Sequence, residues 1–487
     1  MFVKNRFMAS VCTITFLLGS PVAAEVQSTQ ILEEYFDVFK STPIEVEVGD
    51  KEDNAKSSQW NNVTLKSTDG QMQIAIPWVK VSKKLLGGFE MTIAEKIDGA
   101  FQSPDPKALE PVRFVVESKN MAVDIDGIEG AREYNSTFEE MAFRTLDNSI
   151  ISISAKLTEG TSTNLMETGE TGKSSGNFNV KSMMVDYSFE IEGEMTTSTS
   201  TMMDLAGKFE VPFYNSFDTE NPMKGFDASR DMFIEYSVGS GKTDFSMGSA
   251  IGPIIINTTF GSGSGTIGIT DAIASTSGAT NDLTYVINAT GMGLPPMQIS
   301  ASEAIGKLSM PLDNVDESKP AGFKIALSGL NLSDQAWAMF DPTAVLPRDE
   351  IDLDIDILAG LRWVKKIAEI DVKNPGQEPP FVVDNAEIKA LNLKIAGAEL
   401  QTTGSAIIDS SQFPPVPEGT VNISLTGAQG LIGKLTEIGL IPEQNAMMIQ
   451  GMTAMFFRPV DGGEDQLISV IEMTKDGHVK ANGMQIK

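Results

Sequence analysis

From Ile44 onward the chain changes character at every second residue. The stretches "IEVEV" (44–48), "QMQIAIPWVKV" (71–81), "MAVDIDGI" (121–128), "IISISAKL" (150–157), "VDYSFEIEG" (185–193) and "LTYVINATG" (283–291) alternate apolar with polar side chains. Successive side chains of an extended strand point to opposite faces, so a period of two gives one apolar face and one wetted face. Strands buried on both sides of a parallel sheet read instead as unbroken apolar runs. The pattern therefore predicts antiparallel sheet with one solvated face. Glycine-rich "GETGKSSGN" (169–177) and "GSGSGTIG" (261–268) are predicted as turns and loops between strands.

Helical periodicity is confined to a few short segments. In "STQILEEYFDVFK" (28–40), Ser28 is placed to cap a helix, Ile31, Leu32, Tyr35, Val38 and Phe39 form its apolar stripe, and Pro43 ends it. A faint repeat follows in the last two fifths of the chain. "KIALSG" (324–329) leads to a predicted helix over 332–340, then Leu346-Pro347, then an alternating strand. "NISLTG" (422–427) leads to "LIGKLTEIG", then Ile441-Pro442, a second helix, and the strand "QLISVIEMT" (466–474). "VINATG" (286–291) reads as a degenerate third start, and "KNPGQEPP" (373–380) separates the two clear copies. The predicted class is α+β and β-dominated: a long curved antiparallel sheet with short amphipathic helices packed on it. The predicted division is a leader (1–24), a β-rich half (25–280) and a half carrying the repeat (281–487).

The capped N-terminal helix, "WAMFDPTAVLPRD" (337–349) and the tail "LIGKLTEIGLIPEQNAMMIQGMTAMFFRP…HVKANGMQIK" together resemble a periplasmic proteobacterial family known as domain of unknown function 2125. The resemblance spans essentially the whole chain after the leader and implies no catalytic assignment. More loosely, the strand–Gly–helix–Pro unit is similar to units in AsmA-like envelope proteins. That similarity implies curved sheets whose grooves hold lipids, and fold alone does not fix function.

The first residues point to export. Lys4 and Arg6 precede an apolar stretch, Phe7 to Leu18, that is too short to span a bilayer, and Val22-Ala23-Ala24 supplies the small residues read by a signal peptidase. Cleavage is expected after Ala24, giving a periplasmic or secreted protein. The one cysteine, Cys12, lies within that leader, so the exported chain is expected to have no disulfides. No later run approaches the ~18 apolar residues of a spanning helix. Lysine and arginine number 37 against 66 acidic residues, a net charge of −29 that loss of Lys4 and Arg6 makes more negative. Like charge disfavours nucleic acid and anionic membrane surfaces as partners.

Few motifs carry chemistry. Glu350, Asp352, Asp354 and Asp356 stand at every second position opposite Ile351, Leu353, Ile355 and Ile357. Calcium needs its carboxylate oxygens within ~2.3–2.6 Å of one point, whereas same-face residues on a strand stand roughly 6.5–7 Å apart. The ladder is therefore expected to be a solvated face whose acids repel one another. Gly263, Gly265 and Gly268 satisfy G-x-G-x-x-G, but a dinucleotide site requires a helix to begin there, and "ITDAIASTSGATND" is a poor helix. "GKS" (172–174) and "GKT" (241–243) lack the earlier glycine of a phosphate loop, since Glu167 and Tyr236 stand there. His478, the single histidine, follows the turn Asp476-Gly477, and no G-x-S-x-G elbow exists to complete a triad. No cofactor, catalytic residue or metal ligand is predicted. Methionine offers more: "PEQNAMMIQGMTAMFF" is expected to place Met448, Met452, Met455 and Phe456 on one helical face, with Pro442 as first helical residue. Thioethers adapt to irregular apolar shapes, so that stripe reads either as filler of a sealed core or as the lining of an apolar site. The expected function is non-catalytic binding of a lipid or other apolar molecule. A structural or protein-interaction role is the alternative.

Overall fold

The computed structural model describes residues 27–487 apart from 38, 40–41, 103–109, 129, 147–150, 170–171, 192, 213–226, 313, 367–368, 370–379 and 411–413. The leader, its cleavage site, Cys12 and most of "KNPGQEPP" therefore lie outside the described residues. Antiparallel strands dominate the rest, with a few short helices, giving the β-dominated α+β class. The chain divides into two compact units, Met1–Ser249 and Ala250–Lys487. Position 280 falls inside the continuous strand Ile273–Asn288.

The N-terminal unit is organised around the helix Ser28–Asp37, which packs on the strands Ser57–Ser67 and Met72–Lys83. Ile31 and Leu32 are wholly buried, with Tyr35, Phe36 and Phe39 close behind. The ring of Phe36 stacks on Trp60 at 5.3 Å between centroids, and Lys51 Nζ sits 4.1 Å from the Trp60 ring on its wetted side. Each fully buried Leu, Ile or Phe contributes roughly 1.5–3 kcal/mol before entropy is charged. The helix is thus a plug in the largest described core, which continues through Val63, Val79, Val81, Met91, Val123 and Ile125. Burial also pushes the Tyr35 and Tyr134 hydroxyls well above the ordinary tyrosine range.

Farther along, three strands of 17 to 19 residues, Ile151–Glu167, Lys173–Ile191 and Glu194–Pro212, lie antiparallel in sequence order. Single left-handed residues interrupt them: Glu159 (φ 46°) in the first and Asp204 (φ 52°) in the third. Such a residue bends a strand and breaks its ladder locally. Lys181 lies between them in the middle strand, with Nζ 2.7 Å from Glu159 Oε1. At Glu159 the alternation changes phase. Odd positions 151–157 share the more buried face before it, and Gly160, Ser162, Asn164 and Met166 occupy it afterwards.

The segments predicted as glycine-rich loops are largely strand. "GETGKSSGN" enters Lys173–Ile191 at Lys173, and "GSGSGTIG" forms most of Ser262–Thr270. Close approach explains part of this. A side chain at Gly176 would run into the carbonyl of Thr163 on the neighbouring strand. Elsewhere glycine receives an aromatic ring from its cross-strand partner, as Gly99 from Phe114, Gly160 from Phe138 and Gly207 from Phe178. The ring covers backbone that glycine leaves bare.

In the C-terminal unit the strands Ser262–Thr270, Ile273–Asn288, Met297–Pro311, Lys319–Leu332, Ile351–Trp363, Phe381–Ile395, Ala398–Asp409, Val416–Thr426 and Gln466–Met473 each pair antiparallel with the next. Because direction alternates, every second connection leaves from the same end, and three of the connections at one end are helical among the described residues. They are the 3-10 turn Thr290–Met292, the helix Asp334–Trp337, and the pair Ala428–Glu437 and Glu443–Phe456. The sequence repeat is thus visible as strand, helix, strand, with a left-handed glycine inside the end of the first strand in one copy (Gly329 φ 60°) and directly after it in the other (Gly427 φ 70°). Its first helix is shorter than the predicted 332–340. Leu332 ends the strand, and Ser333 Oγ caps the helix by accepting from the Ala336 amide at 3.4 Å. The two repeats meet in one apolar cluster, where Trp337, Leu346 and Ala396 are buried against Phe340, Leu431, Leu435 and Ile438.

Candidate functional site

Cross-strand partners point their side chains to the same face, so the register of the C-terminal sheet can be followed row by row. One row runs Leu327, Leu353, Leu393, Leu400, Leu425 and Leu467 across six consecutive strands. Two positions along, the next row runs Gly306, Ile325, Ile355, Leu391, Thr402, Ile423 and Ser469. A third runs Ile267, Thr276, Leu308, Phe323, Ile357, Ile388, Gly404, Val421 and Ile471. With neighbouring strands about 4.8 Å apart, this third row is roughly 40 Å long. The result is a broad aliphatic face.

Much of that face is open among the described residues. Leu308 is 53% exposed and Ile267 56%, while Phe323 and Ile325 are also exposed. Leu327, Leu353, Leu393, Leu400 and Leu425 are only partly buried, and Leu467 is fully buried. The edge near Leu467 is covered from the helical end. Ser469, buried and on the same face, donates through Oγ to the carbonyl of Phe456 at the end of the methionine helix, at 2.6 Å. Exposed aliphatic surface of this continuity is unusual in a monomeric soluble protein.

The opposite face is polar and contains the acidic ladder. Lys324, on the strand before it, places Nζ 3.1 Å from Asp354 Oδ1 and 3.2 Å from Asp356 Oδ2. Asp352 Oδ1 accepts from the amide of Gly329 at 2.9 Å, and its Oδ2 lies 3.9 Å from Lys394 Nζ. The expected mutual repulsion is therefore offset by cations from both adjacent strands. The two carboxylates hold the Lys324 ammonium above the ordinary lysine range. No group of three or more His, Cys, Asp or Glu able to hold a metal occurs among the described residues. Sequence reasoning missed Lys324 because only pairing register brings it to the ladder.

The methionine helix differs from expectation in two respects. Pro442 is its N-cap (φ −61°, ψ 144°), not its first turn, and its carbonyl accepts from Asn445 and Ala446. Its inward stripe is Ala446, Ile449, Thr453 and Phe456, whereas Met447, Met448, Met452 and Met455 are each more than half exposed. Phe456 thus leaves the predicted stripe, and the methionines are not sealed core.

Other motifs resolve as structure. Gly263, Gly265 and Gly268 lie on a hairpin strand that turns through Asp271 and Ala272, both left-handed, with no helix after them. Lys173 of "GKS" pairs with Glu210 at 3.0 Å, and Lys242 of "GKT" with Asp244 at 2.6 Å. His478 is exposed, its Nδ1 3.1 Å from Gln485 Nε2. Among the described residues no helix is long and apolar enough to cross a membrane. Comparison with protein-family models, with curated proteins and with solved structures finds no match to this chain.

Proposed function

We propose that this is an exported, non-catalytic binder of an elongated apolar ligand, of the lipid acyl-chain class. The observation that carries the reading is the part-exposed aliphatic face of the C-terminal unit, three rows deep and nearly free of hydrogen-bonding groups. An acyl chain offers continuous apolar surface and no polar group needing a partner, which is what such a face can accept. The similarity of the repeat unit to those of AsmA-like proteins leads to the same proposal.

Uptake of a fluorescent fatty acid by the purified chain tests it. Leu308→Gln combined with Phe323→Gln should weaken uptake at least roughly tenfold, since both side chains lie in one exposed row. Stability should change by less than about 1 kcal/mol, because both sites are already well hydrated. A parent chain that takes up no probe would overturn the proposal.

The exposed methionines favour a second reading, a protein-interaction role, because adaptable thioethers suit a peptide partner equally well. Met452→Asp separates the two. It should leave stability almost unchanged at this exposed position and lower probe uptake if the helix borders the ligand. Unchanged uptake would assign the stripe to a protein partner.

A further inference from the structure

The most exposed apolar residues among those described lie far in sequence from that face. Leu85 and Leu86 are 104% and 102% exposed, at the tip of the hairpin between the strands Met72–Lys83 and Phe89–Ile93. The tip reads "KKLLGG" (83–88). Gly87 and Gly88 have φ of 96° and 75°, which lets the chain reverse tightly and leaves the two leucines projecting. The turn closes on itself: the Lys84 amide donates to the Gly88 carbonyl at 3.1 Å, and the Gly87 amide to the Lys84 carbonyl at 3.4 Å. Backbone groups satisfied in this way lower the cost of moving the tip out of water.

Charge identifies what the tip meets. In a chain with 66 acidic residues, the segments 83–88 and 54–57 contain Lys56, Lys83 and Lys84 and no acid. They are adjacent, since the Lys83 amide donates to the Lys56 carbonyl at 2.8 Å. The acids nearest Lys84 are on the strands behind the turn: Asp124, whose Oδ1 lies 2.9 Å from Lys84 Nζ, with Asp126 and Glu90. Ile128, also exposed, ends the strand that pairs with Phe89. A convex tip carrying two leucines above a collar of lysines fits a fluid surface, which needs no preformed pocket. Lysine stems can lie along the apolar region while their ammonium groups reach phosphate.

We infer that the Lys83–Gly88 hairpin inserts its leucines into an anionic phospholipid bilayer. The strongly acidic average of the chain does not forbid this. At physiological ionic strength charges more than about 8 Å away are largely screened, and within that range Asp124 engages Lys84, so the attraction rests on Lys56 and Lys83, which form no ion pair among the described residues. The inference is independent of ligand binding by the C-terminal sheet and can fail separately from it.

Flotation with phosphatidylethanolamine–phosphatidylglycerol vesicles tests it on the purified full chain. The parent should float with the vesicles, less so as salt rises, and less with phosphatidylcholine alone. Leu85→Ser combined with Leu86→Ser should reduce vesicle binding by roughly tenfold or more. Lys83→Gln with Lys84→Gln should reduce it less and flatten the salt dependence. Unchanged circular dichroism and melting would show each variant folded, as expected for a tip with no packing partners. A parent that binds no vesicles, or a double-serine variant that floats like the parent, would overturn the inference.

Discussion

Asp341 shows at the scale of a residue how a buried charge can serve architecture. It is wholly buried, with Oδ1 accepting from the Val345 amide and Oδ2 from the Leu346 amide, both at 2.9 Å. Those bonds fold the connection that drops Leu346 into the cluster with Trp337. Asp341→Ala should therefore lower stability by about 2–3 kcal/mol in chemical denaturation, since two buried amides lose their acceptor. In the acidic ladder, the compensation by Lys324 reverses the sign of the effect expected from isolated like charges. Asp352→Asn with Asp354→Asn should destabilise by about 1 kcal/mol. The pH dependence follows from the raised Lys324 value. Its contribution is complete below the ordinary lysine value of about 10.4 and is lost as pH rises through the raised folded value. The stability gap between parent and Lys324→Met should thus hold from neutral pH to about 10 and close above it. A gap already closing at pH 8 would exclude this pairing. None of these partnerships could be seen in the sequence, because each joins residues that only strand register or a tight turn brings together.

Period-two alternation was enough to identify the strands around 44–48, 71–81 and 121–128, each of which has one face more buried than the other. It fails where a left-handed residue such as Glu159 changes its phase, and two of the three longest strands carry such a residue. Glycine misled for a different physical reason. At Gly176, inside one of the predicted loops, the missing side chain admits the Thr163 carbonyl of the neighbouring strand, and at Gly207 it makes room in the same way for the cross-strand ring of Phe178. Gly207→Val should accordingly cost about 1–3 kcal/mol by displacing Phe178, despite the higher strand propensity of valine. Stabilisation measured by thermal melting would contradict that account. The methionine stripe was legible as periodicity, but its direction was not. Ala446, Ile449, Thr453 and Phe456 face inward and the methionines stand in solvent, a choice of face that periodicity alone does not make.

At the scale of the molecule, the two units bury their apolar surface differently. The N-terminal unit closes a core around its helix, with Ile31, Leu32, Val63, Val79 and Val81 fully buried. The C-terminal unit arranges aliphatic side chains in register across six to nine strands and leaves much of that face part-exposed. Its rows of leucine and isoleucine were readable one strand at a time but not as a surface, because register is set by hairpin turns and bulges. Native mass spectrometry of the chain purified gently from its native cells tests the central claim most directly. The account predicts a population heavier than the polypeptide by one lipid-class molecule, released by organic solvent and lost in the Leu308→Gln, Phe323→Gln variant. A parent found only at the mass of its polypeptide under those conditions would contradict it.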